Sequence, residues 1–230
     1  CRPIKIIETN PNYNYWLFND TETEYFMNKI MINEFDGKLT KAYNLIDDMN
    51  GAAKSDIWRY AILWKYGGIY IDFDAVCFKS FDDIIGKSES DVIISVAWPW
   101  EFDDLNNYLN EHDGEYSKDE NILRWLRKGT ADHTIRTIQW LIISAPKSKI
   151  LTNVIEMLID IILNPIKQKE HKLNDINVNI KRLTRAITGP EMLRHGMNDA
   201  ILRHNLSKDI DYSIYSSGGW RNCKHYHSVK

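Results

Sequence analysis

The sequence has only three cysteines, Cys1, Cys77 and Cys223, and no pair stands in a CxxC arrangement. That scarcity excludes a closed disulfide framework, and the missing spacing excludes a zinc cluster or a dithiol redox motif, so ordinary thiols are expected. Long apolar runs are also missing. Trp140 to Ser144 and Val154 to Leu163 fall well short of the roughly 20 residues that cross a bilayer, so no membrane span is expected in this chain. Charge of one sign is not in excess: 29 Lys and Arg against 32 Asp and Glu leave a formal charge of −3. Without a global basic field, nucleic acid is not expected as a partner. No internal repeat or low-complexity block stands out. The opening Cys1-Arg2-Pro3 shows neither a charged n-region nor an apolar h-region, and no signal peptide is expected in the chain. Two sequons, Asn19-Asp20-Thr21 and Asn205-Leu206-Ser207, would accept N-glycans in a secretory lumen, and cytoplasmic and lumenal locations both stay open.

What is present is enough apolar residue, 43% of 230, to bury a sizeable core, and a single domain over residues 1–230 is expected. Tyr13 to Phe18 reads as a short aromatic strand, followed by Asn19-Asp20 turn chemistry and a helix from about Glu22 to Asn33. A second helix is predicted from about Ser55 to Tyr66, with Ile57, Tyr60, Ala61 and Trp64 forming its buried stripe and Gly67-Gly68 ending it. Ile69, Ile71 and Phe73 then alternate with Tyr70, Asp72 and Asp74, the pattern of a strand with two unlike faces. Asp91 to Trp98 and Trp140 to Ser144 read as further strands, and Ile150 to Leu163 as a helix stopped at Asn164-Pro165. Residues 101–133 are polar and read as a variable insert, and 167–181 as an exposed connection. Strands alternating with helices predict an α/β layered fold.

The chemistry gathers at Asp72 and Asp74. Two apart on a strand, their side chains would leave one face with α-carbons about 7 Å apart, framing one cation. Oxygen ligands alone suit Mg²⁺ or Mn²⁺, and so sparse a site leaves positions for waters and for the phosphate oxygens of a nucleoside diphosphate. Asp74 is assigned to the metal, and Asp72 to a water or ribose hydroxyl. The preceding helix carries the chain about 15 Å from Asp56, and the strand after Gly67-Gly68 returns a similar distance, which predicts that Asp56 and Asp74 end nearly level. Asp56 and Arg59, three apart on one helical face, could then offer an acceptor and a fork of donors to sugar hydroxyls, with Ser55 capping the helix. The plainer readings are a surface ion pair for Asp56 and Arg59, a packed aromatic for Tyr70 and a small core residue for Cys77.

The blocks Ala53-Lys54-Ser55-Asp56-Ile57-Trp58-Arg59-Tyr60-Ala61-Ile62-Leu63 and Tyr66-Gly67-Gly68-Ile69-Tyr70-Ile71-Asp72-Phe73-Asp74 resemble the DXD glycosyltransferases related to yeast initiating α-1,6-mannosyltransferase and the inositol-phosphoceramide mannosyltransferases, glycosyltransferase family 32. More distantly they resemble the glucosylating domains of large clostridial toxins. The resemblance is strong over residues 10–83, with fainter echoes at Ile142-Ile143-Ser144-Ala145-Pro146 and Thr188-Gly189-Pro190. It implies a GT-A nucleotide-sugar-binding fold, with a central, mostly parallel mixed sheet flanked by helices, and a retaining hexose transfer. It also implies Mn²⁺ or Mg²⁺ bridging the donor diphosphate to Asp74, with Asp72 supporting ribose or metal. Asp56 and Arg59 match the residues that hold the donor sugar, and Ser55 and Tyr70 stand beside them as donor-binding candidates. A terminal His-rich or Ser-x-Trp segment completes the family's metal site; His225 and His227 are the candidates, and His227 is chosen. The implied donor is GDP-mannose or UDP-galactose or UDP-glucose, and the acceptor a glycan, glycolipid or protein. The family's opening Ile-Pro-x-x-Ile-His-x-x-Trp strand is not found here.

Two other readings compete. Ile71-Asp72-Phe73-Asp74-Ala75-Val76 also resembles the DxDx(T/V) motif of haloacid-dehalogenase-type phosphatases, with Asp72 as phospho-acceptor. That reading leaves the Ser55-Asp56/Arg59 block unexplained and finds no distal acidic pair, since Asp82-Asp83 is too close in sequence. A sugar-binding module without turnover would use Trp98, Trp100, Trp125, Trp140 or Trp220 as stacking rings, with Trp98-Pro99-Trp100 the best acceptor platform.

Overall fold

A computed structural model describes residues 2–77, 79–86, 88–97, 136–170, 184, 187–207, 212–216 and 223–225. In chain order its elements are α1 (Arg2–Thr9), α2 (Asp20–Tyr25), α3 (Lys38–Asn44), α4 (Gly51–Tyr66), β1 (Gly68–Ile71), β2 (Ala75–Cys77), α5 (Phe81–Ile85), β3 (Val92–Ala97), β4 (Arg136–Ser144), α6 (Lys149–Leu163), α7 (Pro165–Glu170), α8 (Pro190–His204), β5 (Tyr212–Ser216) and β6 (Cys223–His225). They form two compact units. One draws its described residues from Cys1–Tyr15, Ile69–Ile143 and Ile201–Lys230, the other from Trp16–Gly68 and Ser144–Ala200. No described helix is long and apolar enough to cross a membrane.

The second unit is helical, and short polar side chains start α2 and α6. Asn19 accepts from the Glu22 N–H at 2.9 Å while Glu22 returns a bond to the Asn19 N–H at 2.9 Å, a capping box that launches α2. The helix then widens into one π-helical turn over Phe26–Ile30. The hydroxyl of Ser148 accepts from Leu151 and starts α6. Helix α4 is buried nearly all round, at Ala53, Asp56, Ile57, Arg59, Tyr60, Ala61, Leu63 and Trp64. It begins at Gly51, so Ser55 lies inside it and is not its cap; Ala52 and Ala53, strong helix formers, extend it toward Asn50. It ends as expected, at Gly67 with φ +69°, whose N–H bonds to Leu63 O at 2.7 Å. Trp64 Nε1 donates to Thr152 Oγ1 at 2.9 Å, tying α4 to α6. The buried Asn153 donates to Gly196 O at 2.8 Å and ties α6 to α8. Gly196 permits that approach, since a Cβ there would lie 2.5 Å from Val154 Cγ2. Asn164 stops α6, and Pro165 opens α7 rather than a loop, because proline is well suited to the first helical position.

The first unit holds the sheets. Strand order in the larger one is β1-β4-β3-β5, with β3 and β5 parallel, Val92 opposite Tyr212 through Val96 opposite Ser216. β2 and β6 form a separate antiparallel ladder with Ala75 opposite His225, Val76 opposite Lys224 and Cys77 opposite Cys223. Ile6, Cys77, Phe81, Ile84 and Leu141 make a buried cluster, against which Tyr13, Ile69, Ile71, Trp140 and Ile143 pack. The predicted alternation of β1 thus holds for its isoleucines.

Three further expectations are corrected. Tyr13 to Phe18 is not a strand: among the described residues nothing pairs with it, Trp16 and Leu17 are exposed, and Tyr15 spends its hydroxyl on Ile6 O and Asn10 O. Aromatic content alone, without period-two burial, does not make a strand. Cys77 is not an ordinary thiol but is disulfide-bonded, and Cys223 is the cysteine that the ladder sets opposite it. Counting cysteines could not foresee that register. The expected Trp140–Ser144 strand starts earlier, at Arg136. The proposed insert over 101–133 lies outside the described residues.

Candidate functional site

Strand β1 stops at Ile71, so Asp72, Phe73 and Asp74 form a turn rather than the end of a strand. The Ala75 N–H bonds back to Asp72 O at 2.9 Å and closes the turn, while the Asp72 N–H bonds to Trp140 O at 2.9 Å and pins its entrance to β4. The same-face argument for the two aspartates therefore does not apply, because turn closure takes the backbone out of the pleat immediately after Ile71. Both aspartates are half-buried, and Phe73 between them is exposed. Tyr70 donates its hydroxyl to Asp72 Oδ1 at 2.7 Å. This phenol reaches the acidic turn instead of serving only as a packed ring.

Two carboxylates on a turn of fixed backbone are an all-oxygen donor set suited to a hard divalent cation that keeps several waters and accepts phosphate oxygens. Among the described residues no group of three His, Cys, Asp or Glu side chains gathers as a complete metal cage. The ladder brings the backbone of His225 opposite Ala75, the residue after Asp74. His227 lies outside the described residues, as do Trp98, Trp100, Trp125 and Trp220. Trp140 packs against the buried cluster of its unit, which makes it a core ring in β4 rather than a stacking platform.

The other candidates belong to the helical unit. Asp56 and Arg59 are not a surface pair: they are 3% and 6% exposed, with Arg59 Nη2 3.3 Å from Asp56 Oδ1. Burying a carboxylate is costly unless it is paired and hydrogen-bonded, and here both conditions are met. The second oxygen, Oδ2, accepts from Thr188 Oγ1 at 2.8 Å. Thr188 was visible in the sequence only within a faint Thr-Gly-Pro echo ahead of α8. Ser55 is half-buried inside α4. Beside it, Lys54 bonds Glu24 at 2.9 Å and Asp48 at 2.5 Å and lies over the Tyr43 ring, 4.6 Å from its centre. Burial works against the charged Lys54, but these two hydrogen-bonded carboxylates outweigh it and hold the ammonium above its usual range. Tyr43, buried and donating to Glu24 at 2.8 Å, is pushed up as well. This network fastens the first turn of α4, directly before the Ser55-Asp56-x-x-Arg59 block.

Residues 4–91 match the family described as "Glycosyltransferase sugar-binding region containing DXD motif". A stretch of 82 residues is 30% identical to initiation-specific alpha-1,6-mannosyltransferase of Candida albicans, covering 36% of this chain and 20% of that protein. A stretch of 83 residues is 31% identical to inositol phosphoceramide mannosyltransferase 3 of Schizosaccharomyces pombe, covering 34% of this chain and 20% of that one. The matches thus span a fifth of the length of either relative. Among solved structures, PaToxG Glycosyltransferase is similar over 88% of this chain and 61% of its own, at 15% identity and a TM-score of 0.44.

Proposed function

We propose, from the match of residues 4–91 to the family of glycosyltransferase sugar-binding regions that contain a DXD motif, that the chain transfers a hexose from a nucleoside diphosphate sugar to an acceptor hydroxyl. The observation that carries the reading is the turn at Asp72 and Asp74, fixed by two backbone bonds and by Tyr70, inside the matched segment. The donor is GDP-mannose or a UDP-hexose, the acceptor a glycan, glycolipid or protein, and the fold a GT-A fold. Asp74 would hold Mn²⁺ or Mg²⁺, Asp72 would support the metal or the ribose, and His227 would complete the set. A divalent ion bound there supplies Lewis-acid stabilisation of the departing diphosphate.

The chain's own residues do the rest. A turn held before the donor arrives needs no reorganisation when charge develops on the leaving group. Asp56 and Arg59, locked together by burial, hold the donor ring so that the acceptor meets the anomeric carbon in one orientation, and the transfer retains configuration. A phosphatase using Asp72 is the weaker reading, since it gives the Ser55-Asp56-x-x-Arg59 block no role and the family match runs against it. A sugar-binding module is separated by hydrolysis of the donor in the presence of Mn²⁺, which binding alone does not produce.

The test is calorimetric titration of UDP and GDP with and without Mn²⁺, on the native chain and on Asp74→Ala. Metal-dependent binding of one nucleotide, abolished in the variant, is expected. A folded native chain that binds neither nucleotide under either condition would overturn the reading.

A further inference from the structure

Thr188 is fully buried, and its hydroxyl is not idle: Oγ1 donates to Asp56 Oδ2 at 2.8 Å. A hydroxyl taken out of water is costly unless it is bonded, and an apolar side chain of the same shape would fill the space without that requirement. A bond to an ionised acceptor is among the strong ones, so the hydroxyl has a definite mechanical effect. With Arg59 on Oδ1 and Thr188 on Oδ2, the Asp56 carboxylate cannot turn about its Cβ–Cγ bond without breaking a contact. The next residue repeats the tie, since Tyr60 donates to Gly189 O at 3.2 Å, one turn further along α4. The short segment before α8 is therefore fastened twice to the face of α4 that carries Asp56.

Fixing Asp56 fixes its partner. Arg59 presents a planar fork of five N–H donors, and the plane of that fork follows the carboxylate it is bonded to. We infer that Thr188 is a positioning residue: by holding Asp56 it sets the orientation in which Arg59 meets the donor sugar. The inference rests on the sugar-transfer reading, and it assigns Thr188 to recognition of the hexose, not of the nucleoside diphosphate. Misplacement of an orienting group by a fraction of an ångström to an ångström costs up to about 100-fold, so a loss of about tenfold is expected on removing the hydroxyl.

The experiment compares Thr188→Val, which keeps the shape and removes the donor, with Thr188→Ser, which keeps the donor. For each, binding of the nucleotide sugar and of the nucleoside diphosphate alone is measured by calorimetry with Mn²⁺, alongside the melting temperature and the kcat and KM of donor hydrolysis. Weaker binding of the nucleotide sugar by about tenfold in Thr188→Val, with nucleoside diphosphate unchanged and Thr188→Ser restored, supports the role. If Thr188→Val does not fold, Thr188→Ala against Thr188→Ser makes the same comparison. Equal loss for both ligands, in step with a lowered melting temperature, overturns it in favour of a purely structural role, as does no loss at all. A native chain that binds no nucleotide sugar overturns the transferase reading and this inference together. A native chain that binds it normally, with an unaffected Thr188→Val, removes only the role of Thr188.

Discussion

The phenol of Tyr70 helps to hold Asp72. With Tyr70 donating to Oδ1 at 2.7 Å, the carboxylate is kept in one orientation on a turn whose backbone is already tied at both ends. Outer partners of this kind typically change metal affinity by about 10- to 100-fold, so Tyr70→Phe is expected to weaken Mn²⁺-dependent nucleotide binding by about tenfold without changing the melting temperature. Calorimetry decides it, and unchanged affinity would mean that the backbone alone orients Asp72. Tyr13 offers a second test at this scale. It meets Phe81 edge-on at 5.3 Å and donates to Asp82 Oδ1 at 2.6 Å. Burial first, then the bond to and charge of Asp82, push its pKa from 10.0 to about 12. Its folded pKa is raised, so the contribution is whole below pH 10 and lost as pH rises toward 12. The stability difference between the native chain and Tyr13→Phe should therefore be constant up to pH 10 and shrink above it, as read by denaturant unfolding across that window.

Gly67 ends α4, and its lack of a side chain is a geometric necessity. A Cβ there would lie 2.7 Å from Pro146 Cδ and 2.9 Å from Ser144 O, on a backbone with φ +69°. Gly67→Ala combines left-handed strain with overpacking and should cost about 3 kcal/mol or more, measurable by urea unfolding. Such punctuation is why α4, β1 and α6 could be read from the sequence: Gly67-Gly68 and Asn164-Pro165 act on their own neighbours, and the apolar stripe of α4 is periodic. What could not be read depends on partners far away in the chain. The Asp72-to-Asp74 segment alternates like a strand until the contact with Trp140 and the return bond from Ala75 turn it. Thr188 lies 132 residues from Asp56, and no local pattern foretells their bond. The acidic pair, and Asp56 with Arg59, were legible because their spacing is short. Their burial and their anchors were not.

Across the whole chain, the feature with the widest reach is the bond at Cys77. β2 and β6 pair over only three residues each, a ladder that is marginal without further support. The ladder sets the backbone of Cys223 opposite Cys77, and a cross-link between these two would close a loop of well over a hundred residues, for which chain entropy suggests about 4 to 5 kcal/mol of stabilisation. Reduction should then lower the melting temperature by roughly 10 °C, and Cys77→Ser should reproduce the shift in the absence of reductant. A melting temperature indifferent to reductant would place the stability of this ladder elsewhere. The same bond makes the buffer a participant in any assay. Thiol reagents added by habit to protect cysteines would here loosen the strand whose backbone runs opposite Ala75, the residue after Asp74. A preparation made that way can look inactive while every side chain of the DXD turn is intact.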